Sequence, residues 1–196
     1  MQMGCGHTGL SMRRMAWGWV LCACLTLLTI LAPLPLANRG AMAAEGVQMG
    51  SVTGLRLPRY ASLRFDKTNV REGPSKTHRT AWIFQRAGLP VEIIGEFDIW
   101  RRIRDSEGAE GWVLASLLSG RRAALVAPWR KAEEAQLYAK LGAPNVVAKL
   151  QSGVLANVKT CQGDWCRVFG EGFDGFIKQG DLWGVYPGES FCVRRS

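Results

Sequence analysis

The chain has 196 residues and a formal net charge of +9, from 25 Lys and Arg against 16 Asp and Glu. Of its two histidines only His78 lies beyond residue 44, which excludes the multi-histidine ligand sets of zinc peptidases and leaves a Cys–His hydrolase no imidazole close to a thiol. No G-x-x-x-x-G-K-[ST] loop is present, so P-loop phosphate chemistry is excluded too.

The first 44 residues contain no Asp or Glu. Arg13 and Arg14 precede the apolar run Ala16–Ala37, and Ala41-Met42-Ala43 supplies a small-residue exit. That order of charge, apolar middle and cleavage site reads as a signal peptide over residues 1–44 and an exported, periplasmic protein. The alternative is a retained membrane anchor, since about 20 apolar residues span a bilayer. Loss of Arg13, Arg14 and Arg39 with the leader takes the charge from +9 to +6. The remaining arginines, many in pairs such as Arg101-Arg102 and Arg121-Arg122, read as a solvated basic surface or as a surface for an anionic envelope partner, with no nucleic acid expected and no membrane contact after cleavage.

Beyond the leader, short apolar runs are broken by Gly, Asp and Pro, which predicts strands. "LPVEII" (89–94), "WRRIR" (100–104) and "GWVLASLL" (111–118) come first. "SGRRAALVAPWRK" (119–131) reads as a connector docked through its apolar Ala123–Val126. "VLANVKT" (154–160), "WCRVFG" (165–170) and "GFIKQGDLW" (175–183) are again strand-like. "KAEEAQLYAKL" (131–141) has helix-forming composition, but an internal repeat argues against a helix.

In that repeat Gly88 falls on Gly153, Trp100 on Trp165, Ile103 on Val168, and Gly111-Trp112-Val113 on Gly175-Phe176-Ile177. Upstream, "NVREGPS" (69–75) falls on "QLYAKLGAP" (136–144) with Val70 opposite Leu137, so residues 131–141 should be a strand and turn. Gly88 and Gly153 mark tight entries into strands, and "RDSEGAEG" and "GEGFDG" mark hairpin turns. The expected organisation is residues 58–120, a connector at 121–131, and residues 132–188. Each copy is a small all-β barrel that closes its own edges.

Taken together, "NVREGPS", "GLPVEII", "WRRIRDSEGAEGWV" and "WCRVFGEGFDGFI" resemble the bacterial SH3-like (SH3b) domain, and the chain resembles exported bacterial proteins that carry two such domains in tandem. The second copy departs from the first at the "NVR-x-GP" position. The resemblance implies a non-catalytic binding module, with no cofactor or metal, that binds peptidoglycan or peptides. The alternative is an envelope adaptor that holds a partner protein's peptide between the barrels.

The residues offer two places for a ligand. "VREGPSKTHR" is a polar, basic loop, which makes Arg71, Lys76, His78 and Arg79 a candidate rim; an ordinary solvated turn is the other reading. Trp82, Trp129, Trp183 and Tyr186 have poor partners in the repeat and suit an interface between barrels or an exposed patch. Trp100, Trp112, Trp165 and Phe176 recur and suit packing, with groove lining as the alternative.

Cys161 and Cys166 supply at most two metal ligands, and no C-x-x-C redox motif is present. The repeat aligns them with Glu96 and Arg101, on either side of a turn. A disulfide across a hairpin is therefore expected in one copy and an opposite-charge pair in the other, with Cys192 left over, free or paired between molecules; the alternative is three reduced, semi-buried thiols.

Overall fold

The computed structural model describes residues 48–142 and 144–192; the signal-peptide reading falls on residues outside these. Alternation sets the strands. Residues 134–138 run Glu-out, Ala135-in, Gln136-out, Leu137-in, and form a strand despite their helix-favouring composition, because only a period of two buries both apolar side chains.

A small hairpin, β1 (Gln48–Met49) and β2 (Arg56–Leu57), opens the described chain. Then come β3 (Arg59–Leu63), β4 (Thr68–Arg71), β5 (Thr80–Phe84), β6 (Pro90–Phe97), β7 (Trp100–Arg104), β8 (Glu110–Leu114) and β9 (Leu118–Ser119). They form one antiparallel sheet in the order β5-β4-β8-β7-β6-β3-β9. The second set is β10 (Ala123–Val126), β11 (Glu134–Tyr138), β12 (Val146–Gln151), β13 (Leu155–Gln162), β14 (Trp165–Gly170), β15 (Phe173–Lys178) and β16 (Leu182–Trp183). Its order is β12-β11-β15-β14-β13-β10-β16, with β17 (Phe191–Cys192) added beside β13. Renumbered, the two orders are the same, so the molecule is two tandem SH3-like barrels of one topology.

The equivalence reaches single bonds. Gly88 and Gly153 both adopt φ 79°, and their N–H groups donate to Leu63 O at 2.8 Å and Val126 O at 2.7 Å. Only glycine holds that backbone without strain. Gly111 and Gly175 are fixed by crowding: a side chain at Gly111 would run into Val70, and one at Gly175 would sit 2.7 Å from Leu137 Cγ. Val70 and Leu137, paired in the sequence repeat, are thus the same core position, and both are fully buried.

Three features depart from the sequence reading. The strands expected over 111–118 and 175–183 are each interrupted by a 3-10 turn, Ala115–Leu117 and Gln179–Asp181. That corner swings the last two residues across to pair with β3 or β10. Ala123–Val126, in the stretch read as a connector, forms β10 of the second sheet, with every residue buried. The β1–β2 hairpin and β17 have no counterpart in the sequence analysis.

Each barrel has its own core. Val70, Val91, Ile93, Ile103 and Val113 centre the first; Val126, Leu137, Val158, Val168 and Ile177 centre the second.

Candidate functional site

The loop between β4 and β5 gathers Arg71, Lys76, His78 and Arg79 at one rim of the first barrel. Arg71 Nη1 donates to His78 O at 2.7 Å, which ties the loop across its base. Arg79 Nε donates to Glu72 Oε1 at 3.0 Å, and the Glu72 carboxylate holds the guanidinium pKa above its ordinary value. His78 lies against Gly73, where a side chain would collide with its ring. Lys76, His78 and Arg79 are exposed.

Trp82 follows on β5, paired with Val70. It is half-buried, packs edge-on against Phe84 with ring centroids 6.1 Å apart, and its buried indole N–H has no partner among the described residues. In the second barrel Ala148 pairs with Leu137 and Leu150 with Ala135, so the aromatic wall made by Trp82 and Phe84 belongs to the first barrel alone.

Trp183 and Tyr186 lie elsewhere, stacked on Tyr60 of the first barrel. Ring centroids are 5.4 Å apart for Tyr60–Trp183 and 4.6 Å for Tyr60–Tyr186. The Tyr186 hydroxyl donates to Glu92 Oε1 at 2.8 Å, and Arg104 Nη1 reaches the other oxygen of this buried carboxylate at 3.4 Å. Burial, reinforced by Glu92, pushes the pKa of both tyrosines well above the ordinary value, so both stay neutral. The structure thus divides the sequence candidates: Arg71, Lys76, His78, Arg79 and Trp82 share one edge of the first barrel, Trp183 and Tyr186 join the two barrels, and Trp129 is exposed.

Beside that stack a cleft of about 500 Å³ is lined by Arg59, Tyr60, Ile93 and Arg101 from the first barrel and by Arg122, Tyr186 and Glu189. Its cations are internally matched. Arg59 Nη2 donates to Glu96 Oε1 at 2.6 Å, and Arg122 grips Glu189 through Nη1 and Nη2 at 2.8 and 2.9 Å. Arg122 also lies over the Phe191 ring at 4.3 Å. Tyr60, Glu92 and Arg122 escaped the sequence reading. The signal that could have found Tyr60 and Arg122 is the repeat carried upstream, where β3 and β10 correspond.

Cys161 and Cys166 are register partners on β13 and β14 and are joined by a disulfide. At the same place in the first barrel Glu96 pairs with Arg101, and Arg101 Nε lies 3.6 Å from Glu96 Oε1. Cys192 is free and exposed. Among the described residues no group of His, Cys, Asp or Glu is arranged to hold a metal ion.

With its two barrels matching the bacterial SH3 domain over residues 66–120 and again over 131–184, the chain belongs to that family. Domains of this family are commonly non-catalytic modules that bind the cell wall. No curated protein matches the chain. Among solved structures, NlpC2 from Trichomonas vaginalis is similar at 13% identity and a TM-score of 0.30, covering 64% of this chain and 48% of its own. NlpC1 from the same organism is similar at 13% identity and 0.30, covering 68% and 48%. The chain spans about half the length of each. No helix among the described residues is long and apolar enough to cross a membrane.

Proposed function

We propose that the protein is an exported, non-catalytic binding module that holds peptidoglycan or another envelope polymer on the edge of its first barrel. The observation that carries this reading is the tandem of two bacterial SH3 barrels, one of which bears an exposed cationic loop running into an aromatic wall. Lys76 supplies charge without an ion-pair partner among the described residues, and Arg71, His78 and Arg79 supply hydrogen-bond donors around it for an acidic polymer. Trp82 supplies a flat apolar face for a sugar ring or peptide. The second barrel, with Ala148 and Leu150 in place of that wall, braces the first.

The test is retention of the purified protein on sacculi at two salt concentrations. Binding should persist at high salt and fall at least ten-fold in Trp82→Ala. Binding that disappears with salt in the wild type would mean charge attraction alone.

A second reading is an envelope adaptor that takes a partner's peptide in the inter-barrel cleft. The specific observation in its favour is a cavity of about 500 Å³ with walls from both barrels. Gly120→Trp, on the cleft wall where an added side chain meets nothing within 4 Å, would block that peptide and leave sacculus binding unchanged.

A further inference from the structure

A second, smaller groove of about 220 Å³ is lined by Trp82, Phe84, Leu89, Pro90 and Leu125 together with the Asp105–Glu107 turn. Its floor is the seam between the barrels. Leu125 and Leu155 are register partners on β10 and β13, and Leu155 approaches to 3.3 Å of where a side chain at Gly88 would begin. One wall is the edge-to-face pair Trp82–Phe84. Asp105 and Glu107 make part of that lining acidic. Asp105 accepts from the Glu107 and Ala109 amides through Oδ1 alone, at 2.9 Å each. Neither Asp105 nor Glu107 has a cationic partner among the described residues, because neighbouring Arg104 is committed to Glu110 at 2.8 Å and to Glu92. In a chain with this excess of arginine, two unmatched carboxylates beside an aromatic wall are notable for what they would attract.

We propose that this groove receives a primary ammonium on an aliphatic stem, carried by a peptide that also bears carboxylates. It rests on the envelope-polymer reading only for the source of that peptide. Size sets the first constraint, since a groove below the volume of ordinary small-molecule pockets holds one extended side chain. Composition sets the second. Methylenes lie against Leu89, Pro90 and Leu125, and the charged head sits near the Trp82 face, where a cation is favoured, beside Asp105 and Glu107. Long-range charge sets the third. A lysine-rich protein segment would be repelled by a molecule of net +6 after loss of the leader, whereas an acidic polymer carrying occasional amines is drawn to it. β5 joins both ends of such a zwitterion: the cationic loop ends at Arg79, and the groove begins at Trp82.

The experiment titrates the full chain with Nα-acetyl-lysine N-methylamide and with its Nε-acetylated form, following the Trp82 indole N–H resonance, assigned with Trp82→Phe. The charged probe should shift that resonance and saturate, and the acetylated probe should bind at least ten-fold more weakly. Glu107→Gln and Asp105→Asn should each weaken the charged probe about three- to five-fold. Both keep side-chain size, and Asn retains the acceptor that the turn amides need. Equal binding of the two probes, or no response to either variant, overturns the proposal. A second arm compares native sacculi with sacculi whose amines have been acetylated. Weaker retention of the acetylated ones supports the polymer source. Equal retention, with probe discrimination intact, overturns that source and assigns the groove to a basic protein segment. If no sacculi are retained while the probes still discriminate, the groove stands and the envelope reading fails.

Discussion

Glu96 lies beneath the β1–β2 hairpin with its side chain shut off from solvent. Burial alone would raise its carboxyl, but donors from Thr53, Val52 and Arg59 outweigh burial and hold it at about 2, against an ordinary 4.5. A carboxyl depressed on folding stabilises the native state fully above 4.5, and that contribution drains away as pH falls towards 2. The hairpin is therefore expected to detach in acid ahead of the barrels. Amide protection at residues 51–55, taken relative to the intrinsic exchange rate from pH 5 down to pH 2, checks this, and Glu96→Gln should abolish the pH dependence of that protection while costing about 2 kcal/mol. At the corresponding place in the second barrel the link is covalent. Cys161→Ala with Cys166→Ala should lower stability by about 2 kcal/mol, since the closed loop is short. Denaturant midpoints of the double variant with and without reductant provide the check: reductant should affect the wild type alone.

β11 and β15 meet over Gly175, and β4 and β8 over Gly111. A methyl group at Gly175 would fall 2.7 Å from Leu137 Cγ and 2.8 Å from the Tyr138 carbonyl, and the carbonyl cannot move without breaking the strand contact. Gly175→Ala is expected to cost about 1–3 kcal/mol. The same change at Gly180, where nothing lies within 4 Å, should cost much less. Thermal denaturation of the two variants side by side decides it. Such glycines explain why so much of the fold could be read from sequence. Each copy repeats Trp-x-x-apolar and Gly-aromatic-aliphatic because the hairpin core admits little else, and Val70 and Leu137 could be matched across an otherwise degraded segment. β10 was harder to read. A uniformly buried strand has no alternation, and Ala123–Val126 looks like any apolar connector. That the cationic loop and Trp82 lie on one edge was legible because they adjoin in sequence. The bond from Tyr186 to Glu92 joins residues 94 apart and leaves no local pattern.

The barrels are held to each other by more than the chain. Tyr60 is clasped by Trp183 and Tyr186, the Ser62 hydroxyl donates to Arg121 O at 2.8 Å, and only residues 120–122 separate β9 from β10. The described residues should accordingly unfold in one calorimetric transition, with van't Hoff and calorimetric enthalpies equal. Tyr60→Ala should divide it into two. Tyr186→Phe, which removes only the hydrogen bond to the buried Glu92 carboxylate, should lower the single midpoint by an amount equivalent to about 2 kcal/mol.

That three-residue connector also bears on the tempo of recognition. With Arg122 gripped by Glu189 and Arg121 tied to Ser62, the link has no slack for one barrel to close over a guest held by the other. The surface is preset, and capture is a single collision followed by escape. Stopped-flow traces should be single exponentials whose rate climbs in proportion to ligand concentration without levelling off, and mutations along β5 should be felt in how long the guest stays rather than in how fast it arrives.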